Sequence, residues 1–409
     1  MSKTQRAAPA HDAGAAGVAP FGRRNLLSAA LAAAAAVRTR PARAAAATAD
    51  WVAFRQRFVM PDGRVIDTGN SNVSHSEGQG AALLFAARFD DRVGFERILA
   101  WTRGVLRRPD DTLLAWRYQP GASVPVADLN NATDGDLLAA WALSEAAGRW
   151  GVAEHRALAI QMGRDILRRV VVAQGKDAVL LPGASGFLKP DHVVVNPSYS
   201  VLPAFRAMAL LVPNPLWARL EESGLALSEA ACFGRWKLPA DWVALPRGAG
   251  RPTLASGWAP RFSYDAIRVP LYLAWAGYRQ APTLRAAVEF WNDPAHAAPP
   301  AWADLRTDAV APYAGDAGLR AIGCLAGASS RRPAGVAGGG ATRAASLPEV
   351  SEAQSYYAGL LVMMSRLAWS DAGLEEDEQS TAALTPRPAP LPRTGVEARL
   401  ATFLAPTRF

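Results

Sequence analysis

The sequence predicts an all-α protein built from antiparallel helical hairpins, and three observations support this fold class. Apolar residues return at intervals of three and four along most of the chain, which is the pattern of helices with a buried face. Strand-like runs are few and short, and the best of them are Ala178–Leu181 and His192–Val195. No sequence unit repeats at a fixed short period, so a solenoid is not supported. We therefore expect helical hairpins packed into a ring or bundle, and no parallel βαβ sheet.

Nine segments carry the helical pattern. In chain order they are Ala81–Phe89, Arg92–Arg103, Leu137–Ala147, Ala153–Val170, Val201–Leu211, Pro215–Glu222, Ala266–Tyr278, Thr283–Trp291 and Ser351–Trp369. The segment Gly327–Ser346 is rich in glycine, alanine and serine, and it predicts a surface loop that buries nothing.

The composition fits one large globular domain. The chain has 409 residues, of which 50% are hydrophobic and 20% are charged, which is enough apolar material for a packed core. Its two cysteines, Cys232 and Cys324, lie far apart and are not accompanied by clustered histidines. The spacing of a structural zinc site is therefore missing, and we expect no metal and no cofactor.

The first 44 residues have the features of an export signal. The paired arginines Arg23 and Arg24 precede a weakly apolar run, Leu26–Val37, which is too short to span a membrane, and small residues follow up to Ala44. Paired arginines before a mild apolar core are typical of twin-arginine export. We expect a signal at 1–44, a catalytic domain at 45–375 and a Pro-rich, extended or disordered tail at 376–409. The mature protein would be periplasmic or secreted, with no stable membrane anchor.

Most of the positive charge lies in the N-terminal segment. The formal net charge is +8, but residues 1–44 contain seven basic residues and one acidic residue, so their removal leaves about +2. A basic patch interleaved with aromatic residues is typical of a nucleic-acid-binding protein, and the remaining chain has none. The sequence therefore predicts no nucleic-acid partner.

A first polar cluster, Ser74–Gly80, stands at the start of an apolar helical run. A serine is placed to cap the helix, and Glu77 falls in the first turn, where a carboxylate is favourable. Gly78 and Gly80 are costly inside a helix start. We therefore expect another segment to pack closely against this backbone.

Two further clusters precede helical runs. In Asn130–Asp136, Thr133 is placed as a cap, and Asp134 and Asp136 lie in the first turn, where they would complement the helix dipole. Asn196–Tyr199 is a proline turn with a serine placed as a cap. Each cluster alone has this ordinary structural explanation beside a functional one.

The fourth cluster, Phe262–Pro270, contains Asp265 and Arg268, which are three residues apart and hence neighbours on a helical face. A ring of hairpins would gather all four helix starts at one end and form a cleft lined by carboxylates. Carboxylates without histidine or cysteine clusters suit acid–base chemistry on a neutral, oxygen-rich substrate. Glycoside hydrolysis is the leading case.

The four clusters resemble the motifs of glycoside hydrolase family 8, once called cellulase family D. The matching segments are Ser76–Gly80, Ala132–Trp150, Asn196–Tyr199 and Tyr264–Pro270. They occur in the family's order between Trp51 and Trp369. The short periplasmic endoglucanases associated with bacterial cellulose synthesis look most similar.

This resemblance implies an (α/α)6 barrel and an inverting mechanism. Glu77 would be the general acid and Asp265 the general base, while Asp134 would bind and distort the central sugar. The two carboxyl groups of an inverting pair stand about 6.5–9.5 Å apart, which leaves room for a water molecule. A general acid must also keep its proton near neutral pH, which requires a raised pKa.

The resemblance also suggests residues that bind substrate. Tyr264 and Arg268 would hold Asp265 and its water, and Asp136 would contact sugar. Trp116 and Tyr199 are candidate stacking surfaces, because aromatic rings pack well on the apolar face of a pyranose. The chain has 13 tryptophans, an excess that agrees with a sugar-binding cleft.

Three functions remain open at this stage. The leading one is an exported endo-β-1,4-glucanase with a cellulose-type β-glucan as substrate, linked to bacterial cellulose production and with a cellulose synthase or secretion complex as a candidate partner. The same fold would serve mixed-linkage glucan, xylan or chitosan. A non-catalytic glycan-binding component is the third, and intact candidates for every catalytic role argue against it.

Overall fold

The computed structural model of the chain describes residues 47–174, 177–248, 250–330 and 347–374. It divides into two units, 1–48 and 49–409, and the fold described below is that of the second. The predicted export signal at 1–44 and the predicted tail at 376–409 lie outside the described residues.

Helices dominate the described part of the chain, as the sequence predicts. They are α1 (47–58), α2 (Ser76–Arg88), α3 (Arg92–Val105), α4 (Thr133–Trp150), α5 (Ala153–Arg169), α6 (Leu202–Leu211), α7 (Leu216–Ala230), α8 (Arg268–Trp275), α9 (Pro282–Trp291), α10 (Ala317–Ser330) and α11 (Tyr356–Asp371). None of these helices is long and apolar enough to cross a membrane.

The helices form a closed inner ring with an outer layer. In the ring, α2 contacts α4, α4 contacts α6, α6 contacts α8, α8 contacts α10, α10 contacts α11, and α11 returns to α2, which makes six inner helices in the described residues. Helices α3, α5, α7 and α9 pack outside, each against a ring helix. This is the (α/α)6 barrel that the resemblance implies, and the fold prediction is confirmed.

Burial separates the inner from the outer helices. Every residue of α8 is buried, whereas α3 and α9 each bury one face only. A helix that is apolar on all sides must be enclosed, so the sequence of α8 itself places it inside the ring. Phe54 of α1 joins α2 to α11, because its ring lies 5.5 Å from Phe85 and 6.4 Å from Tyr356 between centroids.

The strands are short, antiparallel and confined to the loops. They are β1 (Ser74–His75), β2 (Arg117–Tyr118), β3 (Val171–Gln174), β4 (Asp177–Leu180), β5 (His192–Val195), β6 (Cys232–Phe233), β7 (Leu238–Pro239), β8 (Val243–Pro246), β9 (Thr253–Leu254), β10 (Arg261–Phe262) and β11 (Ala303–Asp304). Both predicted strands are present, as β4 and β5. The pairing of β5 with β8 sets Val195 opposite Val243, which brings the segment after β5 beside the residues that precede β8.

Two sequence predictions about helices need correction. Residues 327–330 form the last turn of α10, with Ser329 completely buried, and do not begin a surface loop. Small residues elsewhere in α10 allow close packing: a Cβ atom on Gly318 would lie 2.9 Å from the backbone of Ala358 in α11. Residues 331–346 of the predicted loop lie outside the described residues. Helix α11 begins at Tyr356, five residues later than predicted, because a short 3₁₀ turn, Val350–Glu352, precedes it.

Candidate active site

A single guanidinium group joins three of the helix starts. Nη1 of Arg268, the first residue of α8, donates hydrogen bonds to Glu77 Oε1 and, at 2.9 Å, to Asp134 Oδ2. Nη2 of Arg268 donates to Asp265 Oδ1 at 2.7 Å. The structure therefore brings together the three carboxylates and the arginine that the sequence singled out, although Glu77 and Arg268 are 191 residues apart.

The three carboxylates differ in how far they are buried. The exposed fraction of the side chain is 3% for Asp134, 17% for Glu77 and 29% for Asp265, and the Arg268 side chain is 3% exposed. Asp265 is thus the carboxylate that solvent and a substrate reach most easily. Asp134 is the most deeply buried of the three.

The cluster contains more negative charge than one arginine can neutralise. Burial raises the pKa of the Glu77 carboxyl, the Arg268 guanidinium opposes that shift, and the charge of Asp265 adds to it. Burial, followed by the charge of Glu77, raises the pKa of Asp134 to about 7. Because both carboxyl groups contact the same nitrogen atom, they titrate as a pair that retains a proton close to neutral pH.

The close packing predicted at the start of α2 is present. A Cβ atom on Gly78 would collide with the hydroxyl group of Tyr356, the first residue of α11. A Cβ atom on Gly80 would lie 2.7 Å from the carbonyl oxygen of Gly135 on α4. Glycine at both positions lets α4 and α11 approach the turn that carries Glu77.

The capping predictions are wrong. His75 and Ala132 occupy the positions before α2 and α4, and neither provides a side-chain cap. Thr133 is the first residue of α4, and its hydroxyl group donates to the Leu181 carbonyl oxygen at 2.7 Å. Before α6, the cap of the short turn comes from the Asn196 side chain, which accepts from the Ser198 N–H at 3.1 Å.

Trp116 and Tyr199 both flank the cluster. Trp116 Nε1 donates to Asp128 Oδ2 at 2.8 Å, and its ring stacks on His75, directly before α2, with centroids 6.1 Å apart. The Tyr199 ring centroid lies 5.8 Å from the Arg268 guanidinium carbon. Burial raises the pKa of the Tyr199 hydroxyl well above its usual range, so this hydroxyl stays protonated.

Tyr264 stands beside Asp265 at the mouth of the cleft and is 52% exposed. Its carbonyl oxygen accepts a hydrogen bond from the hydroxyl group of Tyr357 on α11. Its own hydroxyl group lies 3.5 Å from that of Tyr313. The exposed ring is therefore held between two other tyrosines and is free on the solvent side to meet a ligand.

Asp136 is not part of the cleft, which corrects the expectation that it contacts sugar. The residue is completely buried. Its Oδ1 accepts from the Leu114 N–H at 2.8 Å, and its Oδ2 accepts from Asn131 Nδ2 at 2.7 Å. Asp136 supports the loops before α4, because both of its oxygens are used within the protein.

A row of stacked aromatic rings near Tyr199 was not predicted. Trp242 lies between Phe187 and Trp258, with centroid distances of 5.8 and 5.1 Å and interplanar angles of 7° and 20°. Tyr199 meets Trp242 edge-on at 6.2 Å, and Trp258 is 37% exposed at the outer end. The excess of tryptophan was the only signal in the sequence, and it could not say which rings meet.

Another residue that sequence reasoning missed is Asp241, which precedes β8. It is 6% exposed and accepts hydrogen bonds from the turn that carries Asp265. No motif in the sequence marks it. Among the residues that the structure describes, no group of three or more histidine, cysteine or acidic side chains is arranged to hold a metal ion.

Comparisons with known proteins identify the family of the chain and its relatives. Residues 24–371 match the sequence profile of Glycosyl hydrolases family 8. A probable endoglucanase of Novacetimonas hansenii is 41% identical over 318 residues, which are 78% of this chain and 89% of that protein. An endoglucanase of Cellulomonas uda is 42% identical over 66% of this chain and 75% of that protein. The structure of an endo-β-1,4-glucanase from Acetobacter xylinum superposes with a TM-score of 0.74 at 39% identity, covering 80% of this chain and 99% of that one.

Proposed function

The chain belongs to glycosyl hydrolase family 8, and from this premise we propose that it is an inverting endo-β-1,4-glucanase acting on cellulose-type β-glucan. The observation that carries the proposal is the set of three carboxylates, Glu77, Asp134 and Asp265, around the one buried guanidinium of Arg268. The endoglucanases to which the chain is similar support the substrate class.

Glu77 is the general acid in this proposal. It donates its proton to the glycosidic oxygen while the bond from that oxygen to the anomeric carbon breaks. Its raised pKa suits this task, because the group must carry a proton at the working pH. Asp134 contacts the same guanidinium nitrogen, and the charges of Asp265 and Asp67 add to the cost of ionising Glu77.

Asp265 is the general base. It removes a proton from a water molecule on the opposite face of the sugar, and the water oxygen forms the new bond to the anomeric carbon, which inverts its configuration. The hydrogen bond from Arg268 Nη2 fixes one oxygen of Asp265 and leaves the other free for water. Solvent exchange then returns the proton to Glu77 and removes one from Asp265.

Aromatic rings on both sides of the cluster would bind the glucan chain. Trp116 and Tyr199 flank the buried carboxylates, Tyr264 is exposed beside the base, and the row that ends at Trp258 extends the surface outward. Apolar ring faces match the C–H faces of successive glucose units.

We also propose that residues 1–44 direct export and that the enzyme works beside a cellulose synthase or secretion complex. The support for export is the sequence pattern of the N-terminus, and the support for the partner is the family resemblance. N-terminal sequencing of the protein recovered from a periplasmic fraction tests the signal. An intact N-terminus in the cytoplasmic fraction alone would overturn it.

The activity is tested by reducing-sugar release from carboxymethyl cellulose, with mixed-linkage β-glucan, xylan and chitosan in parallel. We expect the wild type to cleave the cellulose derivative, and Glu77→Gln and Asp265→Asn to lose about 10²- to 10⁴-fold in rate. Proton NMR of a cello-oligosaccharide digest should show the α-anomer first. Hydrolysis of another polymer alone would change the substrate, and binding without hydrolysis would overturn the enzymatic function.

A further inference from the structure

Asp241 lies outside the group that shares Arg268, yet it holds the turn that carries the general base. Its Oδ1 accepts from the Ser263 N–H at 3.0 Å and from the Ala266 N–H at 2.8 Å. Its Oδ2 accepts from the hydroxyl group of Ser263. These contacts lie on both sides of Asp265 in the chain, so one carboxylate fixes the backbone before and after the base.

Backbone hydrogen bonds within the turn, such as that from the Ile267 N–H to the Ser263 carbonyl oxygen at 3.0 Å, do not use the N–H groups of Ser263 and Ala266. Ile267, the residue that precedes α8, provides no side-chain cap for the helix. Asp241 supplies, from a distant segment, an acceptor for these two N–H groups, which both precede α8. The hydroxyl group of Tyr357 on α11 donates to the Tyr264 carbonyl oxygen of the same turn.

Asp241 is itself held rigidly. Its N–H donates to the Arg261 carbonyl oxygen at 2.7 Å, which joins it to the strand that leads into the turn. Two residues later, β8 begins and pairs with β5, so Asp241 is close in the chain to a strand whose position beside Val195 is fixed. A buried acceptor on a fixed backbone is suited to hold a neighbouring turn within a narrow range of positions.

We propose that Asp241 is a positioning residue for catalysis, which sets the place and orientation of Asp265 by binding the Ser263–Ala266 turn. The proposal rests on the proposed function, since it assumes that Asp265 acts as the base. Displacing a reacting group by about 1 Å can cost about 10²-fold in rate. Loss of the anchor should therefore lower kcat much more than it changes KM.

An ionised carboxylate at this buried position, near the charge of Asp265, costs electrostatic free energy that an uncharged hydrogen-bond acceptor would not cost. Burial, with the nearby charge of Asp265, raises the pKa of Asp241 to about 6, and its hydrogen bonds from the turn oppose that shift. An asparagine would keep Oδ1 as acceptor for both N–H groups, and its amide could donate to the Ser263 hydroxyl group. Asp241→Asn is thus the conservative variant that should restore what Asp241→Ala loses.

The test compares Asp241→Ala, Asp241→Asn and the control Asp165→Ala in the full-length protein. Asp165, on outer helix α5, is a matched control because it is also buried. Like Asp241, it accepts from a backbone N–H and from a hydroxyl group, here those of Thr112, at 2.9 and 2.8 Å. We expect Asp241→Ala to lose about 10²-fold in kcat on carboxymethyl cellulose with KM within about threefold. Asp241→Asn should stay within about tenfold of the wild type, and Asp165→Ala should retain its kcat.

A second measurement distinguishes a defect in the general base from a defect elsewhere in the active site. A dinitrophenyl cello-oligoside has a leaving group that needs no protonation, so the defect of Glu77→Gln should become small on it, whereas that of Asp265→Asn should persist. If Asp241 acts through Asp265, the defect of Asp241→Ala should persist too. A defect that disappears on this substrate, or an equal loss in Asp165→Ala, would overturn the assignment.

Two outcomes need to be kept apart. If the wild type releases no sugar from any of the glucans, the proposed function fails; if it is active and Asp241→Ala matches its kcat, only the role of Asp241 fails. Should Asp241→Ala not fold, Asp241→Asn is compared with Asp241→Asn/Ser263→Ala, in which the new amide has lost its acceptor. Equal kcat in these two would also overturn the proposal.

Discussion

Nη1 of Arg268 donates a 2.9 Å hydrogen bond to Oδ2 of Asp134, and both side chains are almost completely buried. The two residues come from different ring helices and are 134 positions apart in the chain. Their contact therefore exists only when the ring closes, and it couples the stability of the barrel to the protonation of the site.

Arg268→Met should destabilise the protein while keeping most of the packing volume. Removing the cation leaves buried carboxylates without a partner, which costs about 3–5 kcal/mol when they are ionised. Protonation relieves this cost, so the loss should be larger at pH 8 than at pH 5. Urea denaturation at the two pH values measures the loss of unfolding free energy. An equal loss at both would show that the charge of the carboxylates is not responsible.

Stability of the wild type should fall as the pH rises from about 4 to about 7. Burial raises the pKa of both Asp134 and Asp136 to about 7 from a reference of 3.8, so the folded state retains protons that the unfolded state releases. Raised pKa values contribute stability below the unfolded pKa, and that contribution is lost as the pH passes through the folded value. Asp136→Asn should flatten this slope and leave kcat unchanged, because Asp136 faces the protein interior. Asp134→Asn should change both the pH dependence of stability and kcat. A loss of kcat in Asp136→Asn would show that Asp136 does act in the active site.

The sequence predicts those parts of the site that are local. Asp265 and Arg268 are three residues apart, so their ion pair follows from the turn alone, and glycine at Gly78 indicated a close approach before its partner was known. The contact of Arg268 with Glu77 depends on closure of the ring: the sequence predicted that the helix starts gather at one end, but not that these two side chains meet.

Other features were not predictable for physical reasons. The stacked row through Trp242 depends on the register of β5 against β8, which the pattern of a single strand does not specify. Helix α10 contains Gly318, Gly323 and Gly327, which lower its helix propensity, and it runs directly into the glycine-rich segment, so the sequence has no clear helical signal there. Thr133 was expected as a cap, but α4 begins at that residue, and an error of one position is enough to remove a cap.

Gly78→Ala should destabilise the barrel and lower activity together. The new methyl group would meet the buried Tyr356 hydroxyl group, and overpacking of this kind costs about 1–3 kcal/mol. The displaced turn carries Glu77, so kcat should fall as well. Tyr356→Phe removes the colliding oxygen, which has no hydrogen-bond partner in the structure. The double variant should recover much of the melting temperature and kcat. Failure to recover would show that the Tyr356 hydroxyl group is not what the new methyl group displaces.

Trp258→Ala should weaken binding of long glucan chains without changing the chemistry. Trp258 is the exposed end of the aromatic row, and Trp242 covers its inner face, so only its outer face is available to a sugar. Loss of one stacking surface removes about 1 kcal/mol, or roughly a fivefold rise in KM for a long cello-oligosaccharide. A short one that reaches only the carboxylate cluster should be unaffected, and kcat should hold for both. Trp369→Ala is the control, because Trp369 lies near the end of α11 away from the cluster. Equal KM changes for short and long substrates would mean that Trp258 supports the loop and does not contact the chain.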